Sequence, residues 1–125
     1  MKFATTLAIE AEVTLLSTEE GGRRTALVLR WPDMRYRPHL VVGDIGQRKA
    51  VVAPDGVVRE RYVGVAFRSV NVVMPPGSHA RLWMDVMLLD SPHEDLQPGA
   101  TFTVREGPEV VGFGTVLRRV DEKEA

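Results

Sequence analysis

The residues that could carry chemistry in this sequence are mostly arginines, and they are concentrated between residues 21 and 50. That window holds seven basic residues against two acidic ones. Guanidinium groups form paired hydrogen bonds with phosphates and carboxylates and stack on aromatic rings. The window therefore predicts a binding patch for an RNA backbone or an acidic protein surface. A solvated strand face, whose charges pair with nearby glutamates, is the alternative interpretation. The basic residues are Arg23, Arg24, Arg30, Arg35, Arg37, Arg48 and Lys49.

Residue groupings typical of catalytic or metal sites are weak. His93, Glu94 and Asp95 are adjacent in a proline-flanked loop, and three consecutive side chains rarely converge on one ion. No serine lies in a Gly-x-Ser-x-Gly elbow, and no Gly-x-x-x-x-Gly-Lys-Ser/Thr loop could hold the phosphates of GTP. We therefore expect a protein that has no catalytic residues, metal or cofactor, does not bind GTP and is not an enzyme.

The composition is that of one globular domain. The chain has 125 residues, of which 44% are hydrophobic and 26% charged, and its net charge is −1. This balance creates no general attraction to nucleic acid or acidic membranes. Cysteine is absent, which excludes disulfides and favours a reducing compartment. No apolar run approaches about 18 residues, and the short apolar stretch at 1–9 runs into Glu10 and Glu12 without a signal-peptide cleavage site. We therefore expect a cytoplasmic protein without a membrane span.

A two-residue hydrophobic period positions these residues. The alternation over 9–15 predicts a strand with one exposed face. The stretch 80–89 is apolar on both faces, which predicts a strand that is buried on two sides or closes a barrel, with Met84 and Met87 in the core. Turns such as Pro54-Asp55-Gly56 separate the strands, and no stretch has a helical period. The fold class is therefore all-β, an antiparallel barrel or sandwich. Further strands are predicted over 26–31, 40–42, 50–52, 57–67, 70–74, 101–105 and 110–120.

The last predicted strand has two unusual features. Gly112 and Gly114 lie at alternate positions inside it, which indicates a sharp bend or a close approach of two backbones. The charged residues 121–125 that follow are expected to form a frayed tail.

Four sequence motifs follow one another along the chain. They are "IEAEVTLLSTEEGGRRT" at 9–25, Tyr36-Arg37-Pro38, "VVMPPG" at 72–77 and "FTVREGPEVVGFG" at 102–114. In order and spacing they resemble the C-terminal β-barrel domain (domain III) of elongation factor Tu. The resemblance implies a closed antiparallel barrel of about six strands, forming a stand-alone single domain over 1–125. The stretch around 43–69 is longer than in that family and is where a specialisation of this protein would lie.

The resemblance also implies partners. In the family, this barrel contacts the T-stem of aminoacyl-tRNA, the nucleotide-binding domain and the exchange factor. Glu106 matches a position that touches tRNA in the family, and His39 stands where the family has glutamine. The family's Asp-x-Thr-Gly element has no clean match, since Asp44-Ile45-Gly46 lacks the threonine. The arginine that follows the second turn glycine in the family is absent as well.

These observations predict a non-catalytic, translation-related binding module. A protein partner is expected ahead of tRNA or another RNA, because the tRNA-contacting set is incomplete. Two alternatives stay open: a small enzyme with a site at the barrel end, and a subunit of an oligomeric assembly that uses the apolar stretch 80–89. The residues expected to bind the protein or RNA partner are Arg23, Arg24, Arg35, Arg37, His39 and Glu106.

Overall fold

The part of the chain that the structure describes is all-β. The computed structural model describes residues 4–30, 36–57, 59–68, 71–87 and 91–123. Within these residues there is no helix, which confirms the predicted fold class. The strands are β1 (Ala4–Leu15), β2 (Leu27–Leu29), β3 (His39–Val42), β4 (Val63–Phe67), β5 (Val72–Met74), β6 (His79–Val86), β7 (Thr101–Glu106) and β8 (Glu109–Lys123).

Six of these strands form a closed antiparallel barrel in the order β1-β6-β4-β3-β7-β8. Strand β1 pairs with β6 on one side and with β8 on the other, so that Ile9 lies opposite both Met84 and Arg119. Strands β2 and β5 form a separate two-stranded sheet. The closed barrel of about six strands is therefore confirmed.

The core fills the barrel interior with the residues that the two-residue period selects. In β1, Ile9, Ala11, Val13 and Leu15 are at most 1% exposed, and the intervening side chains point outward. Burying a large aliphatic side chain of this kind stabilises a fold by about 1.5–3 kcal/mol. The alternation along β1 thus places one face of the strand in the core.

The two glycines of β8 allow β1 and β8 to approach closely. A Cβ atom on Gly114 would lie 2.4 Å from the carbonyl oxygen of Glu12 and 2.7 Å from the ring of Phe102. A Cβ atom on Gly112 would lie 2.6 Å from the carbonyl oxygen of Thr14. The close backbone approach predicted for these glycines is therefore confirmed.

Strands β6 and β8 differ from the sequence prediction. Strand β6 buries only one face, since Met84 is in the core whereas Trp83 is half-buried and Met87 is 47% exposed. Of the two alternatives predicted for this stretch, burial on two sides is therefore wrong for the described residues, as is the placement of Met87 in the core. The other alternative, a strand that closes a barrel, is confirmed, because β6 lies between β1 and β4 in the closed barrel. Strand β8 continues through the stretch that was expected to fray, and Lys123 lies opposite Ala4. Residues 88–90, 124 and 125 lie outside the described part.

The stretch 43–62 is named the insertion loop, and its described residues, 43–57 and 59–62, pack on the outside of the barrel. It contains the predicted turn, in which the Gly56 backbone N–H donates to the carbonyl of Ala53 and the Ala53 N–H donates to that of Val57. The strand predicted over 57–67 is shorter, because β4 begins only at Val63. The loop covers the outward side chains of Thr103 and Arg105, which are 1% and 0% exposed.

Candidate docking surface

A buried arginine fastens the insertion loop to the barrel. Arg105 alternates along β7 with core residues and therefore points outward, where it meets the loop. Its Nη1 and Nη2 donate to the two carboxylate oxygens of Glu60 at 2.9 and 3.0 Å. Its Nε donates to the Thr103 hydroxyl at 2.9 Å, and Nη1 also contacts the Tyr62 hydroxyl at 3.1 Å. Paired contacts of this kind are strong and directional.

The Glu60 carboxylate also ties together the two ends of the loop. It accepts hydrogen bonds from the Gln47 amide and from the Val51 backbone N–H, both at 2.8 Å. The Arg105 hydrogen bond, aided by those from Gln47 and Val51, lowers the pKa of Glu60 to about 2. One carboxylate thus joins β7, the start of the loop and its end.

A second arginine, Arg61, binds the C-terminal end of the loop to the segment that precedes β7. Arg61 donates to Asp95 at 2.6 Å, to the Ser91 hydroxyl at 3.2 Å and to Nδ1 of His93 at 2.7 Å. The side chains of His93 and Asp95 therefore gather around a guanidinium. In the described residues, no group of three or more His, Asp or Glu side chains is placed to hold a metal ion.

The loop that is fixed in this way exposes apolar side chains. Val51, Val52 and Val57 are 57%, 51% and 48% exposed, around the turn that closes the loop. Burial of these side chains by a partner would be favourable, because it would remove from water apolar surface that is exposed in the isolated chain. Exposed valines on an anchored loop are therefore a candidate docking element.

Two of the residues predicted from the sequence bind each other. Arg23 forms an ion pair with the Glu106 carboxylate, which also accepts a hydrogen bond from the Tyr36 hydroxyl. The Arg23 guanidinium lies 5.5 Å from the centroid of the Tyr36 ring, which packs edge-on against Phe67. Burial, together with Glu106, raises the pKa of Tyr36 well above its usual range. Arg23 and Glu106 are thus engaged at the edge of the core.

The other predicted residues are placed differently. Arg24 and Arg37 are exposed and make no ion pair or side-chain hydrogen bond with the described part of the chain. His39 is exposed as well, and its ring lies 5.5 Å from the Tyr62 ring. Arg35 lies outside the described residues. The six predicted residues therefore separate into one internal pair, three exposed side chains and one without a described position.

The surface around Arg23 and Arg24 is mixed in charge. A cleft of about 430 Å³ there is lined by both arginines and by the carboxylates of Glu106 and Glu109. Arg48, farther along the basic window, lies 5.5 Å from the Phe113 ring and donates to backbone carbonyls. The basic window of the sequence therefore does not form a patch of one sign among its described residues.

A stacked cluster on the outer face of the barrel was missed by the sequence analysis. The guanidinium groups of Arg68 and Arg118 each lie 5.6 Å from the centroid of the Trp83 ring. Arg68 is paired with Asp85 at 2.8 Å and Arg118 with Glu10 at 2.7 Å. Only the strand register, which places Glu10 opposite both Trp83 and Arg118, could have revealed this cluster.

The chain matches no model of a known protein family. Nor does the described part of the chain contain a helix that is long and apolar enough to cross a membrane. Its closed antiparallel barrel is compatible with the elongation factor Tu domain III architecture.

Proposed function

We propose that this protein is a non-catalytic binding module, similar to the C-terminal barrel of elongation factor Tu, that docks a protein partner through its insertion loop. The observation that carries the proposal is the buried Arg105–Glu60 pair beneath a loop with three exposed valines. The closed six-stranded barrel supports the resemblance to the translation factor. We further propose a role related to translation and a cytoplasmic location, which the absence of cysteine supports.

Anchoring of the loop favours binding. A flexible loop loses conformational entropy when a partner orders it, and this loss weakens the complex. Here Arg105 and Asp95 bind Glu60 and Arg61, which follow the valine-bearing turn. Glu60 also accepts a hydrogen bond from the Val51 backbone N–H, which precedes the turn. The apolar contacts of Val51, Val52 and Val57 would therefore add to affinity without a large ordering cost.

A second candidate is RNA docking, which the exposed side chains of Arg24 and Arg37 favour. Neither is neutralised by a carboxylate of the described residues, so both are free to contact phosphates. The tRNA-contacting set of the resembled family is incomplete in this sequence, and Arg23 and Glu106, two of the six residues predicted to bind a protein or RNA, pair with each other. Protein docking is for this reason the first proposal.

Affinity capture with matched variants tests the proposal. The triple variant V51S/V52S/V57S removes the exposed valines of the described part of the loop. The control V28S/V73S alters two valines on the separate β2–β5 sheet, which are 44% and 48% exposed. Proteins retained by the wild type and the control, before and after nuclease treatment, are expected to be lost from the triple variant.

Two other outcomes would contradict docking through the loop. Equal capture by the triple variant and the control would show that the valines are not used. Capture of RNA that falls steeply with salt and is lost in R24E/R37E would support the second candidate instead.

A further inference from the structure

An apolar slot lies between the end of the insertion loop and the turn that joins β7 to β8. It has a volume of about 360 Å³ and is lined by Glu60, Tyr62, Gly107 and Pro108. Gly107 has a φ of +59° and no atom within 4 Å of where a Cβ would lie, so the space above it is open. Ligand sites in proteins range from about 300 to 1,000 Å³, which gives this slot room for one or two side chains.

The walls of the slot are fixed in place. The Tyr62 hydroxyl is hydrogen-bonded to Arg105, whose guanidinium lies 5.5 Å from the Tyr62 ring centroid. Both oxygens of Glu60 are occupied by Arg105, and they also accept from Gln47 and Val51. The polar groups at the slot are therefore satisfied within the chain, and an aromatic ring and a proline ring remain as the contact surface. Such a surface suits an apolar side chain.

An arginine and a histidine, Arg37 and His39, lie beside the slot. His39 is in contact distance of the Tyr62 ring, and Arg37 precedes it by two residues. Both are exposed while the residue between them is buried, so they lie on the same outer face, about 7 Å apart along the extended backbone that leads into β3. Glu109, next to Pro108, lies opposite Lys49 in a backbone bridge, which places a cation across from its charge. Arg37 makes no ion pair with the described residues, so its guanidinium is available at this edge to a carboxylate of a ligand.

We infer that the slot binds an extended acidic segment of the protein partner, with a proline or small aliphatic side chain between Tyr62 and Pro108 and a carboxylate against Arg37. The inference rests on the proposed docking function and specifies the chemistry of the partner. Aromatic-lined grooves commonly accept extended peptides in this way. The exposed Arg37 supplies the charge complementarity that selects an acidic sequence.

A titration of the isotope-labelled full chain, followed by amide chemical shifts, tests the slot. The first probe is acetyl-Glu-Glu-Pro-Leu-Glu-amide. The second replaces each Glu by Lys, and the third replaces Pro-Leu by Gly-Ser. The first peptide is expected to bind saturably, with the largest shifts at Tyr62 and Gly107. The other two are expected to bind at least about fivefold more weakly, because each lacks one of the two contacts. Equal binding of all three, or shifts located elsewhere, would overturn the inference.

Charge-reversal variants locate the carboxylate contact. R37E is expected to weaken binding of the first peptide about fivefold or more. The difference in affinity between the first peptide and the Lys peptide is expected to become smaller. The matched control is R30E, which reverses another exposed arginine that has no ion pair with the described residues. Loss of binding in both variants alike would show a general charge effect and would contradict a site at Arg37.

The valine variant separates this inference from the proposed function. V51S/V52S/V57S leaves the four slot-lining residues intact, so it is expected to retain peptide binding even if it loses the partner. If the wild type captures a partner but does not bind the first peptide, the inferred peptide site is refuted and the proposed docking function is not. Peptide binding with undiminished partner capture by the valine variant would refute docking through the valines and leave the slot in place.

Discussion

The Arg105 guanidinium and the Glu60 carboxylate, 45 residues apart in the chain, form a two-pronged pair with N–O distances of 2.9 and 3.0 Å. The arginine is fully buried and the glutamate side chain is 10% exposed. Removing two charges from water is costly, so such a pair persists only when further hydrogen bonds complete its shell. Thr103, Tyr62 and Gln47 supply them here.

Replacement of Glu60 by glutamine is expected to destabilise the protein strongly. E60Q leaves the buried Arg105 cation without its anion, and breaking a buried pair in this way costs about 3–5 kcal/mol. The free energy of unfolding, measured in urea, is expected to fall by about 3 kcal/mol.

The control for this variant is D55N, which removes the partner of Arg59 within the same loop. Both side chains of that pair are more than half exposed, at 57% and 54%. An exposed pair contributes at most about 1 kcal/mol. Similar losses in E60Q and D55N would show that the buried pair does not anchor the loop.

The barrel could be predicted from the sequence, because alternation of apolar residues decides which face of a strand is buried. Residues 9–15 show this most clearly. The Arg105–Glu60 pair could not be predicted, since its two members are distant in sequence. Nothing local to Arg105 indicates a partner in a loop, and only the packing of that loop across β7 brings them together.

Acid is expected to lower the free energy of unfolding of the wild type through protonation of Glu60. The folded-state pKa of this group is about 2, against an ordinary value of 4.5. Its contribution is therefore fully present above about pH 4.5 and is lost as the pH falls toward 2, because the unfolded chain binds the proton first. The difference in unfolding free energy between the wild type and E60Q should shrink over that range.

Comparison of the two proteins isolates this effect. The pKa values of Glu10 and Glu20 are also lowered, by hydrogen bonds from Arg118 and from Ser17 respectively. Both groups remain in E60Q, so their contributions cancel in the difference. A stability difference that stays constant from neutral pH to about pH 2 would contradict the role of Glu60.

Addition of a methyl group at Gly114 is expected to destabilise the barrel. The Cβ of G114A would lie 2.4 Å from a carbonyl oxygen of β1, so the backbones must separate or the ring of Phe102 must move. Overpacking of this kind costs about 1–3 kcal/mol, which urea unfolding resolves.

The matched variant is G64A in β4. A Cβ there would have its closest atom at 3.8 Å, which is ordinary contact, and the backbone conformation is one that alanine adopts. G64A is expected to change the unfolding free energy by less than about 1 kcal/mol. Equal destabilisation by both substitutions would contradict a specific close approach at Gly114.

The candidate site was predicted only in part, for a physical reason that Arg23 illustrates. A run of basic residues indicates positive charge but not whether a distant carboxylate neutralises it. Arg23 meets Glu106 because the barrel closes, whereas the strand alternation leaves Arg37 and His39 exposed on the outer face of β3 and its extension. The exposure of the loop valines could not be predicted either, because Arg105 and Asp95, which fix the loop in place, are distant from it in sequence.

Alkali is expected to destabilise the wild type through Tyr36. Burial raises the pKa of its phenol above the ordinary value of 10, and the Glu106 carboxylate adds to the shift. The contribution is present below about pH 10 and is lost as the pH rises further, because the unfolded chain then releases the proton more readily. Y36F cannot ionise and lacks the phenol's hydrogen bond to Glu106, which is worth about 1 kcal/mol near neutral pH. The wild type should therefore be more stable than Y36F at neutral pH and lose that advantage above about pH 10 in urea unfolding. An advantage that persists unchanged in alkali would show that Tyr36 ionises as freely in the folded barrel as in the unfolded chain.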